Sequence, residues 1–181
     1  MPHSDRLKRR YCWLVLALLL MSCQQPDATR GSVRTPALAA PSALARVTPH
    51  PDFADTVITL VNHERTAAGC PALTPNETLL QVARAHSQDM AVHRFVEHTG
   101  SDGRTPAQRV QAAGYQFRIV AENVAAGRLT PESAVQGWME SPEHRANILN
   151  CALRDTGVGV VEVPDDPAYG IYWTQLFATP L

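Results

Sequence analysis

Gly157-Val158-Gly159-Val160-Val161-Glu162-Val163 and Tyr169–Ala178, joined by Pro164-Asp165-Asp166-Pro167, decide the fold class. The first run is short and β-branched; the second carries Ile171, Tyr172, Trp173, Leu176 and Phe177. Two such runs around a Pro/Asp turn predict an antiparallel hairpin. Upstream the period changes to that of helices. Phe53, Val57, Leu60, Val61 and Ala68 share one face of a helix over 52–68, which Gly69 stops. Leu79, Ala83, His86 and Met90 share a face over 77–93. Shorter helices follow over 106–113 and 131–140, and another from Pro142 through Leu149. Four of these starts carry a hydroxyl residue before Pro: Thr74-Pro75, Thr105-Pro106, Thr130-Pro131 and Ser141-Pro142. That is cap-then-first-turn chemistry, with Asn76 an equally good cap at the first of them. Tyr115–Ala121 is expected to add a third strand. Helices on both sides of a small antiparallel sheet make a three-layer α–β–α sandwich, an α/β (α+β) fold.

The chain before this domain reads differently. Arg6, Lys8, Arg9 and Arg10 precede an uncharged apolar run from Tyr11 to Met21, too short to span a bilayer and fitted to a signal sequence over 1–23. Its ending, Leu20-Met21-Ser22-Cys23, resembles the bacterial lipobox, which implies lipidation of Cys23 and a membrane anchor; ordinary cleavage would instead release a free protein. Residues 24–51 are rich in Pro, Ala, Thr and Ser, read as a flexible tether. The domain proper is 52–181. From Gln24 onward there are 12 Arg, no Lys and 16 Asp plus Glu, a net charge of −4 with no basic patch, so nucleic acid is not an expected partner. Cys70 and Cys151 are the pair left after the leader, and an oxidising compartment implies one disulfide, with two buried thiols as the alternative.

Of the seven histidines, two stand out. His98 lies in the turn-rich Phe95–Gly103, just after the second helix, and loops of that kind carry function more often than helix faces do. His144 lies in the first turn of its helix, where the dipole disfavours imidazolium. Glu122 is the one carboxylate in an apolar run, and a buried carboxylate needs a partner. Two neutral imidazoles near a carboxylate suit a divalent cation such as Zn²⁺ with an open position, with His98 and His144 as ligands; a structural hydrogen-bond cluster is the alternative. His86, on an apolar helix face, reads as a hydrogen-bonded core residue.

Leu60–Arg65, Ala85–Met90, His98–Gly103, Ala121–Gly127, Trp138–Leu149 and Tyr172–Phe177 occur in this order, and the set resembles the CAP superfamily (SCP domain) in its bacterial branch. The resemblance implies an α–β–α sandwich with a His/Glu-lined cleft, to which His98 and Glu122 correspond. Where animal and plant members carry a second cleft His, this chain has Tyr172, and His144 is the natural replacement. Glu140 and Ser141 stand nearest the position of a second cleft Glu. Family members are associated with metal, sterol and lipid binding. The expectation is therefore an extracytoplasmic, non-catalytic binding domain, lipid-anchored or secreted, for a divalent ion or a small ligand, lipid or glycan. A cell-envelope hydrolase and a structural or adhesive envelope protein are the alternatives.

Overall fold

A computed structural model of the chain describes residues 48–181. The expected signal sequence, Cys23 and the tether up to residue 47 lie outside the described residues. The elements, in chain order, are β1 (Thr48–Pro49), α1 (Pro51–Ala67), β2 (Thr74–Pro75), α2 (Glu77–His93), α3 (Pro106–Ala112), β3 (Phe117–Ala126), α4 (Pro131–Glu140), α5 (Pro142–Ile148), β4 (Asp155–Glu162) and β5 (Ile171–Pro180). The predicted hairpin is β4–β5, antiparallel with Val160 opposite Trp173. β3 pairs with the other side of β5, placing Glu122 opposite Leu176 and Asn123 opposite Gln175. The strand order is β1-β4-β5-β3, with β2 pairing β4 in parallel.

Two helical layers cover this sheet. Val57 and Val61 of α1, Ala134 and Trp138 of α4 and Ile148 of α5 pack with Val158, Val160, Trp173 and Phe177 on one face. Leu79, Val82 and Ala83 of α2 and Val110 of α3 pack with Leu176 and Ala178 on the other. The α–β–α sandwich is thus the fold. The glycines in β4 explain how closely α2 lies: a Cβ on Gly157 would stand 2.1 Å from Leu80 N, and one on Gly159 2.2 Å from Arg84 N. Only a residue without a side chain lets the helix backbone approach so near.

Local chemistry sets the boundaries. Thr105 and Thr130 form capping boxes with Gln108 and Ser133, as their position before Pro predicts. At the first start one of the two expected caps is used, and at the last the expected bond is not made. At the start of α2 the cap is Asn76, whose side chain accepts from Leu79 N, because Thr74-Pro75 is drawn into pairing with β4. Ser141 makes no side-chain cap bond. β3 begins two residues later than expected and runs on through Ala126, so Glu122 is a strand residue rather than the start of a loop. β5 begins at Ile171, because Gly170, at φ 74°, still belongs to the turn. Thr48–Pro49, inside the stretch read as tether, pairs with Val161–Glu162. Cys70 and Cys151 are joined as a disulfide across 81 positions of sequence, Cα to Cα 4.8 Å.

Candidate functional site

Glu122 is the centre of the site. Its side chain is 1% exposed, and β3 carries it to the face covered by α2 and α3. Arg109 Nη2 donates to Oε2 at 2.5 Å and His98 Nδ1 pairs with Oε1 at 3.0 Å. His86 Nε2 lies 3.9 Å from Oε1. The partner that burial of Glu122 demands is therefore an arginine as well as a histidine. Arg109 was not singled out in the sequence. It sits in a seven-residue helix between Gln108 and Val110, with no spacing to mark it. The only available signal was the rule that Glu122 must have a cationic partner. Arg109 also donates through Nη1 to His98 O and Arg104 O, so one guanidinium fixes both the carboxylate and the main chain of the histidine loop.

That loop is held from a second side. Ser101 donates its N–H and hydroxyl to Asp89 on α2, and Arg104 N–H and Nε close a turn onto Asp102. Asp102 thus acts as a turn residue, its carboxyl held below its ordinary range by the Arg104 hydrogen bonds. His98 is presented from this frame with its side chain about half exposed. The hydrogen bond from Glu122 raises its proton affinity above the ordinary imidazole value, and burial opposes this. With Nδ1 turned to the carboxylate, Nε2 is the nitrogen left for anything in the cleft.

His144 reaches the cleft by another route. Asn123 Nδ2 donates to His144 O, and Asn147 Nδ2 donates to Glu122 O and Asn123 Oδ1. Two asparagines therefore hang α5 on β3 beside Glu122. His144 has its proton affinity lowered, first by burial and then by the charge of His98. His86 is the core histidine it was expected to be: buried, with Nε2 paired to Glu97 O at 2.9 Å and its proton affinity lowered by burial. Tyr172 stays out of the cleft, its buried hydroxyl donating to Asp166 at 2.6 Å, and Glu140 is taken by Gln136 on the surface of α4. Among the described residues no group of three or more His, Cys, Asp or Glu side chains is arranged to hold a metal. The cleft therefore offers at most two imidazoles, with Glu122 already shared between Arg109 and His98.

The sequence profile of the CAP, or cysteine-rich secretory protein, family matches residues 58–177. The chain belongs to that family. It is 39% identical over 121 residues to the Bacillus subtilis protein YkwD, a match covering 67% of this chain and 45% of YkwD. A B. subtilis membrane protein, YlbC, is 29% identical over 104 residues, covering 58% of this chain and 30% of that one. The chain thus spans less than half the length of these relatives. Among solved structures, an extracellular SCP-domain protein of Bacillus anthracis superposes with a TM-score of 0.63 at 29% identity, covering 70% of this chain and 40% of the other. An outer surface protein of Borrelia burgdorferi superposes at 0.69 with 21% identity, covering 76% and 99%, which speaks to the fold alone. This CAP domain keeps the six motifs in order, and His98, Glu122 and His144 come from three of them.

Proposed function

We propose that this CAP domain works outside the cytoplasm as a non-catalytic binding module, taking a divalent cation such as Zn²⁺ through His98 Nε2 and the ring of His144. The observation that carries the reading is the His98 Nδ1–Glu122 hydrogen bond at 3.0 Å. A carboxylate on the far nitrogen of a histidine fixes the tautomer and ring orientation that a metal ligand needs. Glu122 itself is the anchor and not a ligand, since Arg109 holds its other oxygen. The depressed proton affinity of His144 favours the neutral ring a cation requires. Two protein ligands leave the remaining coordination positions to water or to a small ligand.

An extracytoplasmic setting accords with the Cys70–Cys151 bond, with the basic and apolar leader, and with the extracellular description of the superposed Bacillus anthracis protein. No helix among the described residues is long and apolar enough to cross a membrane. Calorimetric titration with Zn²⁺, run above the unperturbed imidazole value of about 6.5 and on the alkaline side of the raised His98 value so that protons do not compete, tests the site. Binding by the wild type, lost in both His98→Ala and His144→Ala with the far-ultraviolet spectrum unchanged, is the expected result. Equal affinity in all three proteins overturns it.

A further inference from the structure

Among the described residues five large apolar side chains are exposed: Val92 (53%), Ile119 (38%), Leu129 (72%), Tyr169 (42%) and Leu181 (75%). Three of them share one end of the sandwich. β3 and β4 both run antiparallel to β5, so Ala126 stands opposite Tyr172 and Glu162 opposite Ile171. α2 runs the same way as β4, with Leu80 beside Gly157, Arg84 beside Gly159 and Met90 packed with Val161. The last turn of α2, the β3–α4 turn and the β4–β5 turn therefore meet at this end, and they carry Val92, Leu129 and Tyr169. They are tied to one another. Gly127 N–H donates to Ile171 O at 3.0 Å, and the Tyr169 ring lies 3.8 Å from a Cβ built on Gly127. Trp173 Nε1 donates to Arg128 O at 2.8 Å, and the Arg94 guanidinium stands 3.9 Å from Asp166. Ile119 and Leu181 lie at the opposite end, by Thr179 and Gln116. Single exposed apolar side chains are ordinary, but a group on one surface marks a contact. The chain also enters the domain at this end, since Thr48 stands opposite Glu162. Residues 24–47 separate that entry from Cys23.

We propose that this end of the sandwich rests on a lipid bilayer, with Leu129 and Tyr169 in its interfacial zone. The proposal rests on the reading of Cys23 as lipidated. An anchored chain then reaches the domain at the end that carries the exposed apolar side chains. Two or three such side chains would not hold a free domain on a membrane. Anchoring makes their contact with the bilayer intramolecular, and a second weak signal is then enough to keep the surface down. Tyrosine suits the interface, with an apolar ring and a polar tip. Exposed Arg94 and Arg128 are offset at this end by exposed Asp165 and Glu132, so apolar contact rather than anionic headgroups supplies the attraction.

The test places the acylated chain in phosphatidylcholine nanodiscs that carry a gadolinium-chelating lipid, and reads the relaxation of each amide. Leu129 and Ala168–Gly170 are expected to relax severalfold faster than Ile119 and Leu181. The Leu129→Ser/Tyr169→Ser variant should lose that difference while its His98 signals stay unchanged, which shows that the fold is kept. Replacing part of the phosphatidylcholine by phosphatidylglycerol should leave the pattern as it was. Uniform relaxation overturns the proposal, and would leave the patch to a protein partner. So does relaxation strongest at Ile119 and Leu181, a difference that survives in the double variant, or one that appears only with the anionic lipid. Mass spectrometry of the same protein reads the anchor separately. A Cys23 without lipid overturns the anchor and the proposal with it, whereas an acylated chain with uniform relaxation overturns the proposal alone.

Discussion

Two arginines are buried in this domain, and their partners are of opposite kinds. Arg65, 0% exposed at the end of α1, donates to four main-chain carbonyls: Pro71 through Nε, Ile148 and Asn150 through Nη1, and Leu153 through Nη2. Arg109, 9% exposed on α3, gives one arm to two carbonyls and the other to the Glu122 carboxylate. The first side chain ties irregular chain together. It gathers the segment after α1 and the end of α5 beside the Cys70–Cys151 bond, where no ladder can satisfy those carbonyls. The second holds a charged group that in turn holds His98. The difference teaches that burial of a cation does not announce function. What it pairs with does: carbonyls mark a structural knot, and a carboxylate that also touches a half-exposed histidine marks a site.

Removing Arg65 should have the largest effect. Arg65→Ala leaves four carbonyls without donors and a void among them, a loss of about 4 to 5 kcal/mol in urea unfolding. A loss under 1 kcal/mol would mean water replaces the guanidinium freely, and the knot would dissolve as an idea. Arg109→Met comes next. It strands the Glu122 carboxylate and should cost about 3 to 4 kcal/mol, with most of it recovered in the Arg109→Met/Glu122→Gln double variant. Recovery sharpens the contrast, since no second substitution can rescue Arg65: its partners are main chain. Cys70→Ser should follow, at about 2 to 3 kcal/mol under oxidising conditions and near zero with reductant present.

The same contrast sets what could be read in the sequence. The hairpin, the helices and three of the four caps were legible because period and turn chemistry are local. Glu122 and His98 were legible because a lone carboxylate in an apolar run and a histidine in a turn-rich loop are both costly unless used. Arg65 was quoted in a motif and Arg109 not at all, because an arginine on a helix looks the same in sequence whether it faces solvent or a buried carbonyl. Asn123 and Asn147, which place His144, were hidden for the same reason: their hydrogen bonds run across 21 to 25 residues of chain. The extra half of β3 was missed because its partner, β5, lies some fifty residues on, and strand ends are decided by what stands opposite.

The smallest effect is the most specific to the Arg109 region. Glu122 raises the proton affinity of His98, while burial lowers that of His86 and His144. By linkage, stability rises with pH wherever the unfolded state binds more protons and falls with pH wherever the folded state binds more. The His98 contribution is complete below its unfolded value of about 6.5 and is lost as pH rises through its higher folded value. The His86 and His144 contributions are complete above about 6.5 and are lost as pH falls toward their lower folded values. Metal-free wild type should therefore be most stable near pH 6.5, from these groups, and lose stability on both sides. Glu122→Gln abolishes the loss on the alkaline side and deepens that on the acid side, because Glu122 also supports the proton on His86. Ring-proton titration by NMR reads the same event directly: the His98 midpoint falls in the variant, and the His86 midpoint falls with it. An unmoved His98 midpoint would mean that the carboxylate does not act on the imidazole through this hydrogen bond, and Arg109 would then be, like Arg65, a knot in the fold and nothing more.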